Sequence, residues 1–215
     1  MNSANRFLAT TAAVGTLLSA SAHAAVLVQY DFASSLTPST TDSGVGASQS
    51  VVGFTAGFGD GRLNVPAADT GNTISSATDY FSFTVTPNGS SGTALDLSSL
   101  TFDIGRSFTG GYSAEWAVFS SVDSFASSVA SGSLTTGASG TLAGQSVDLS
   151  AAAYQGLSAV TFRLAFADSN NGVPNSILVD NVTLNGAVVP EPHEYAALAG
   201  LGLLGFAVWR RTRRA

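Results

Sequence analysis

Strict alternation between apolar and polar side chains constrains the fold of this chain more than any other feature of its sequence. In one segment Phe81, Phe83 and Val85 occupy every second position, with Ser and Thr between them. Because successive side chains of a strand point to opposite faces of the sheet, a period of two indicates β-strands with one buried face. The pattern occurs in the segments 79–87, 99–105 and 159–168.

Further short segments rich in β-branched and aromatic residues predict additional strands. They cover residues 26–32, 50–54, 112–120, 129–134, 145–149 and 176–184. The Ser-, Thr- and Gly-rich stretches 36–49 and 132–144 are predicted as loops. About nine strands without a long helix predict an all-β fold: a single antiparallel β-sandwich of jelly-roll type over residues 25–187.

The first 24 residues have the three parts of a secretory signal peptide. Arg6 precedes an apolar stretch that is predicted to be helical, and Ala22 and Ala24 flank His23 as small residues flank a cleavage site. The expected mature N-terminus is Ala25. The alternative is a short buried helix. The apolar stretch is too short for a stable membrane span.

Residues 188–215 form a distinct tail with three elements in order: a Pro-Glu-Pro triplet, an apolar run and a basic end. The run from Tyr195 to Trp209 has 15 residues, about 22 Å as a helix. Flanking arginines that extend toward the membrane surface would let this run form a transmembrane helix, with the basic end in the cytoplasm. An amphipathic surface helix or a buried helix is the alternative. The residues concerned are Pro190, Glu191, Pro192, Tyr195, Trp209, Arg210, Arg211, Arg213 and Arg214.

This tail resembles the PEP-CTERM sorting signal of Gram-negative bacteria. The resemblance rests on Pro190-Glu191-Pro192, the Gly-rich apolar segment 201–206 and the closing arginines. It implies export through the inner membrane, a transient membrane anchor and recognition of the tail by an integral-membrane exosortase. It also implies a host that makes extracellular polysaccharide, with a final location at the cell surface or outside the cell.

The body of the chain lacks most of the side chains that catalysis uses. Between Ala25 and Val189 there is no His, Cys, Lys or Met, which excludes Ser-His-Asp and Cys-His triads, Schiff bases and His-ligated metals. The same stretch has three Arg against eleven Asp and Glu115, a balance of −9. That charge argues against nucleic acid as a partner. The remaining enzymatic alternative is a glycoside hydrolase that uses carboxylates alone, with Glu115 as the acid.

The body also resembles, more loosely, galactose-binding-like and other carbohydrate-binding jelly rolls. The residues that carry this resemblance are Tyr30-Asp31-Phe32, the segment 121–125, Phe162-Arg163 and the segment 180–184. It implies a structural calcium ion held by Asp31 and Asp180. Alternation places Asp180 on the apolar face with Val182, so the alternative is an Asp180 carboxylate that is hydrogen-bonded at a strand end or a bulge.

Two functional classes follow. The first is a non-enzymatic, exported surface or matrix protein that associates with extracellular polysaccharide and has no cofactor. The second is a sugar-binding module with an aromatic platform, for which the candidate contacts are Trp116, Tyr112 and Arg163. Aromatic rings suit the apolar C–H faces of a sugar, but a single Trp in the body also suits the core.

Overall fold

The computed structural model describes residues 24–66, 70–88, 93–107, 114–134, 140–168, 176–190 and 192–213. These residues form eleven β-strands and one α-helix. The strands are β1 (Ala25–Tyr30), β2 (Thr40–Thr41), β3 (Val45–Val52), β4 (Leu63–Pro66), β5 (Tyr80–Pro87), β6 (Thr93–Arg106), β7 (Ala114–Ser120), β8 (Ser128–Leu134), β9 (Leu142–Asp148), β10 (Val160–Asp168) and β11 (Ser176–Pro190). The helix α1 spans Pro192–Thr212.

The strands form two antiparallel sheets, which confirms the predicted all-β sandwich. One sheet has six strands in the order β2-β1-β11-β6-β9, with β4 pairing with β11 beyond the end of β1. The other has five strands in the order β3-β5-β10-β7-β8. Both sheets pair strands that are distant in sequence, such as β1 with β11 and β5 with β10, so each sheet is built from segments along most of the chain.

The core consists of the side chains that alternate inward from both sheets. Aromatic rings dominate it: Tyr30 and Phe81 meet edge to face at 5.2 Å between ring centroids, and Phe102 meets Trp116 at 5.1 Å. Phe102 and Trp116 belong to different sheets, so their contact ties the two layers together. Burial of each such ring stabilises the fold by roughly 2–3 kcal/mol.

The differences from the predicted strands lie at sheet edges and strand ends. Strand β2 and the first half of β3 fall in the stretch 36–49 that was predicted as a loop, and β4 was not predicted. Strand β8 ends at Leu134 and β9 begins at Leu142, inside the second predicted loop. The edge strands β2, β3, β8 and β9 bury few side chains, so Ser, Thr and Gly are tolerated there and weaken the apolar signal. Strand β4 has only four residues, too few for a clear pattern.

The two ends of the chain are described only in part. The predicted signal peptide lies outside the described residues except for Ala24, which is exposed and directly precedes β1. At the other end, α1 covers the predicted apolar run 195–209. In the described part of the chain, no helix combines the length and hydropathy needed to cross a membrane.

Candidate functional site

A β-bulge at Asn181 decides which face of the six-stranded sheet Asp180 occupies. The register between β11 and β6 shifts after Asp180, and Asn181 has a φ of 50°. Val179 and Val182 are both fully buried although three positions separate them. The extra residue reverses the alternation, so Asp180 lies on the outer face and not on the apolar face with Val182. The parity prediction was therefore wrong, and the bulge is its physical reason.

Three carboxylates lie near one another on this outer face. Asp180 is directly opposite Asp103 on the neighbouring strand, and the charge of Asp31 also acts on it. Burial raises the pKa of Asp180 above its usual range, and the nearby carboxylates raise it further. The Asn181 N–H, which donates to Asp180 Oδ1 at 2.8 Å, and the Arg62 guanidinium oppose this rise. The Asn181 side-chain amide donates to Asp103 Oδ2 at 2.9 Å.

The structure therefore brings Asp31 and Asp180 into the same region, as the calcium prediction requires. Calcium takes 6–8 oxygen ligands, with carboxylates converging on one point. No group of three or more His, Cys, Asp or Glu side chains with that arrangement occurs among the described residues. What these residues form is a polar network in which Asn181 bridges two carboxylates across neighbouring strands.

Arg163 lies on the outer face of the five-stranded sheet, inside a small second cluster of apolar residues. Its guanidinium carbon is 3.7 Å from the centroid of the Phe125 ring and 4.6 Å from that of Tyr80. One of its terminal nitrogens donates to the carbonyl oxygen of Ser76. These contacts fasten the segment 70–79 across the sheet face. The guanidinium is thus already engaged by aromatic rings of the protein, which leaves it poorly placed to bind a sugar.

The other two predicted sugar contacts have different locations. Trp116 is 6% exposed and its ring points into the core, against Phe102 and over the backbone of Gly132. This burial favours the alternative that Trp116 is a core residue, because its side chain follows the inward parity of β7, opposite to that of Glu115. Tyr112 lies outside the described residues.

A shallow depression of about 400 Å³ lies on the outer face of β7 and β8. Glu115, Ala117 and Phe119 alternate along β7, and each is opposite a serine of β8. Ile74 from the segment over the sheet closes one side. Glu115 is exposed on the solvent face of a strand whose other face is buried. The residues that line the depression are Ile74, Glu115, Trp116, Ala117, Phe119, Ser128, Ser131, Gly132 and Ser133.

Sequence reasoning named Glu115 here but missed Phe119 and the serines. The signal was present, because Glu115 and Phe119 share the parity opposite to that of the buried Trp116. The contribution of Ile74 was not predictable from a local pattern, since it reaches the depression from a segment about 40 positions earlier in the chain.

The Pro-Glu-Pro triplet lies at the junction between the sandwich and the helix. Pro190 is the last residue of β11 and pairs with Thr93 of β6, whereas Pro192 begins α1. Glu191 lies outside the described residues. In the last turns of α1, the Arg213 guanidinium is 4.3 Å from the ring centroid of Trp209.

Comparison with known proteins places the chain in no family, because no protein-family model and no curated protein sequence matches it.

Proposed function

We propose that the chain is an exported, non-enzymatic surface or matrix protein that is sorted through its C-terminal tail and associates with extracellular polysaccharide. The observation that carries this proposal is the exposed apolar surface of α1, which begins two residues after the last strand ends. Folded domains in water rarely leave such a contiguous apolar surface uncovered, and one of this kind marks a site for a membrane or a partner. The exposed side chains are Leu201, Leu203, Leu204, Phe206, Val208 and Trp209.

In this proposal α1 engages the inner membrane over residues 195–209, with the arginines of the tail on the cytoplasmic side. The Pro-Glu-Pro triplet is presented to an exosortase at the end of the last strand. The preceding sandwich, with a jelly-roll-like connection of its strands, is the part that is delivered outside the inner membrane after removal of residues 1–24.

The chemistry of the body supports a non-enzymatic role. Glu115, the only Glu between Ala25 and Val189, is an exposed strand residue in a shallow, open depression. A glycoside hydrolase needs two carboxyl groups that face each other across a sugar, one of them with a raised pKa. Binding of a polysaccharide through hydroxyl and carboxylate groups requires no such pair.

The delivery proposal is tested by the intact mass of the chain from a native host with and without its exosortase. We expect a shorter mature chain in the first strain and an intact tail through Ala215 in the second. A Glu191→Ala variant in the exosortase-containing strain should also keep its tail. The same mass in both strains for the unaltered chain would refute the sorting role.

A second candidate function is specific sugar binding. For this function, the depression between β7 and β8 is a better candidate site than the three contacts named from the sequence. It combines a carboxylate, an apolar wall and three serine hydroxyls, as the polar rim and apolar face of a sugar require. Binding of host polysaccharide should weaken at least several-fold in Glu115→Gln and Ser131→Ala, but not in Ser146→Ala on β9. Equal binding by all three variants would exclude this site.

The structural calcium ion that the second candidate includes is tested by melting with and without a chelator. If Asp31 and Asp180 hold calcium, the chelator lowers the melting temperature, because a ligand bound only to the folded state stabilises it. Asp180→Asn should abolish this response. A melting temperature that is unchanged by chelator would exclude the ion.

A further inference from the structure

The two edge strands of the five-stranded sheet carry no charged residue. β3 reads VGASQSVV and β8 reads SVASGSL, and neither contains a proline. The body of the chain holds twelve acidic residues, so their absence from both edges is notable. Exposed strand edges are sites where other strands add, and proteins that remain monomeric usually protect them with charges, prolines or very short strands.

The six-stranded sheet is better protected. Its edge strand β2 has only two residues, and its other edge strand β9 carries one charged residue, Asp148, at its last position. The contrast within one molecule indicates that the five-stranded sheet is the one whose edges are open to pairing.

The backbone of β3 presents hydrogen-bonding groups away from its own sheet. The Asn88 N–H donates to the Gly44 oxygen at 2.7 Å, directly ahead of the β3–β5 pairing of Val45 with Pro87. Since hydrogen-bonding directions alternate along a strand, the odd-numbered residues of β3 direct their N–H and C=O groups outward. Among the described residues, only the first of these N–H groups, that of Val45, has a backbone partner.

The two edges also share a sequence pattern and a direction. Residues 47–51 of β3 read ASQSV and residues 130–134 of β8 read ASGSL. In both strands the serines are exposed on the outer face of the sheet. Every neighbouring pair in the sheet is antiparallel, so β3 and β8, the first and last of five strands, run in the same direction.

We propose that β8 of one copy of this chain pairs in parallel with β3 of a second copy, which continues the five-stranded sheet from one molecule into the next. Aligning the shared pattern places Ser131 of one copy beside Ser48 of the other on the outer face. A second copy is the occupant that fits, because it brings an open edge with the same serine pattern and direction, and neither edge strand carries a carboxylate that would repel it. The contact joins two different surfaces, so it leaves one open edge at each end and generates chains of molecules.

The natural absence of cysteine allows this pairing to be tested by disulfide formation. Full-length Ser48→Cys and Ser131→Cys variants are purified in a non-ionic detergent that covers α1, and are oxidised separately and as a mixture. Neighbouring strands bring Cα atoms within the 4.4–6.8 Å that a disulfide requires. We expect linked dimers from the mixture at several-fold the yield of either variant alone. Ser146→Cys on β9, mixed with either variant, is the control and should give no excess.

Linked dimers from Ser131→Cys alone would show that β8 of one molecule pairs with β8 of another, and would overturn the proposal. A mixture that gives no dimers would overturn it as well.

Sedimentation of the unaltered chain and of Gln49→Pro provides an independent readout. Gln49 is one of the odd-numbered residues of β3, so proline there removes an outward N–H and leaves the pairing with β5 intact. We expect concentration-dependent association of the unaltered chain and its loss in Gln49→Pro at an unchanged melting temperature. Ser146→Pro on β9 is the matched control. Leu149 N–H donates to Ser98 O, so by alternation the N–H groups of the even-numbered residues of β9 point away from β6, and this proline should not reduce association. An unaltered chain that sediments as a monomer at all concentrations would contradict the proposal.

Discussion

At the scale of single residues, the charged carboxylate of Asp180 lowers the stability of the folded protein. Its folded-state pKa is raised above the ordinary 3.8, mainly by burial and then by the charges of Asp103 and Asp31. The folded state therefore holds this proton more tightly than the unfolded state does, and stability falls as the pH rises through the raised pKa. At neutral pH the Asn181 N–H and the Arg62 guanidinium offset only part of this cost, and solvent screens much of the effect.

Asp180→Asn should therefore raise the melting temperature at pH 7, by about 1–2 °C after allowance for solvent screening. The amide keeps an acceptor for the Asn181 N–H but removes the charge. The gain should shrink as the pH is lowered and the Asp180 carboxyl takes up its proton. Asp148→Asn is the control of opposite sign, because hydrogen bonds from Ser150 lower the pKa of Asp148. Melting curves from pH 3 to 8 that show no pH dependence of the Asp180 effect would contradict the explanation.

A second residue-scale prediction concerns the phenol of Tyr30. Its ring is fully buried, its oxygen has no hydrogen-bond partner among the described residues, and burial raises its pKa. An unpaired buried hydroxyl costs at least about 1 kcal/mol, so Tyr30→Phe should raise the melting temperature by at least roughly 2–4 °C. Tyr154→Phe is the matched control. The Tyr154 phenol interacts with Ser120, so removing its hydroxyl should lower the stability of the protein. Thermal denaturation of both variants decides the matter; a lower melting temperature for Tyr30→Phe is the contrary result.

At the scale of elements, the strands that sequence predicted are those that lie inside the sheets. β5 and β10 bury one face fully, so their apolar residues recur at every second position. β2 and β4 are short and lie at the side of the six-stranded sheet. β2 has no apolar residue, and β4 has only Leu63 and Val65, which are too few to establish a period. The bulge beside Asp180 was one of the alternatives that the sequence left open, but the sequence could not decide for it, because alternation is read from one strand, whereas a bulge is defined by its register with a partner.

Three glycines in the helix α1 have free space around them, which makes the helix open to a test by substitution. Gly200, Gly202 and Gly205 have no atom within 4 Å of the position that a Cβ would occupy. Each Gly→Ala change in a helix interior is favourable by about 1 kcal/mol, so the triple variant should show greater helicity by circular dichroism in detergent micelles. The melting temperature of the sandwich should stay unchanged. A fall in that temperature would indicate that the helix packs against the sheets. The contacts of the described residues give no sign of such packing.

At the scale of the whole molecule, the folded domain extends three residues beyond the boundary at 187 that the sequence suggested. Val188, Val189 and Pro190 continue the ladder with β6, and Val188 packs against the core. The sandwich therefore includes the first proline of the Pro-Glu-Pro triplet and ends directly before the apolar helix. A cut on the C-terminal side of Pro190 would release the sandwich complete, whereas a cut a few residues earlier would damage it.

Two truncated chains test this boundary. A chain that ends at Pro190 should melt within about 1 °C of the full chain in the same detergent, because within the described part of the chain α1 makes no extensive contact with any strand. A chain that ends at Ala187 loses three ladder positions and the contact of Val188, a loss of about 2 kcal/mol, and should melt roughly 4–8 °C lower. Equal melting of the two truncated chains would mean that the strand end contributes nothing and that the domain stops at 187. A difference of the expected size would show that the sandwich needs its last strand through Pro190, so the cut expected under the sorting proposal would have to fall after this residue.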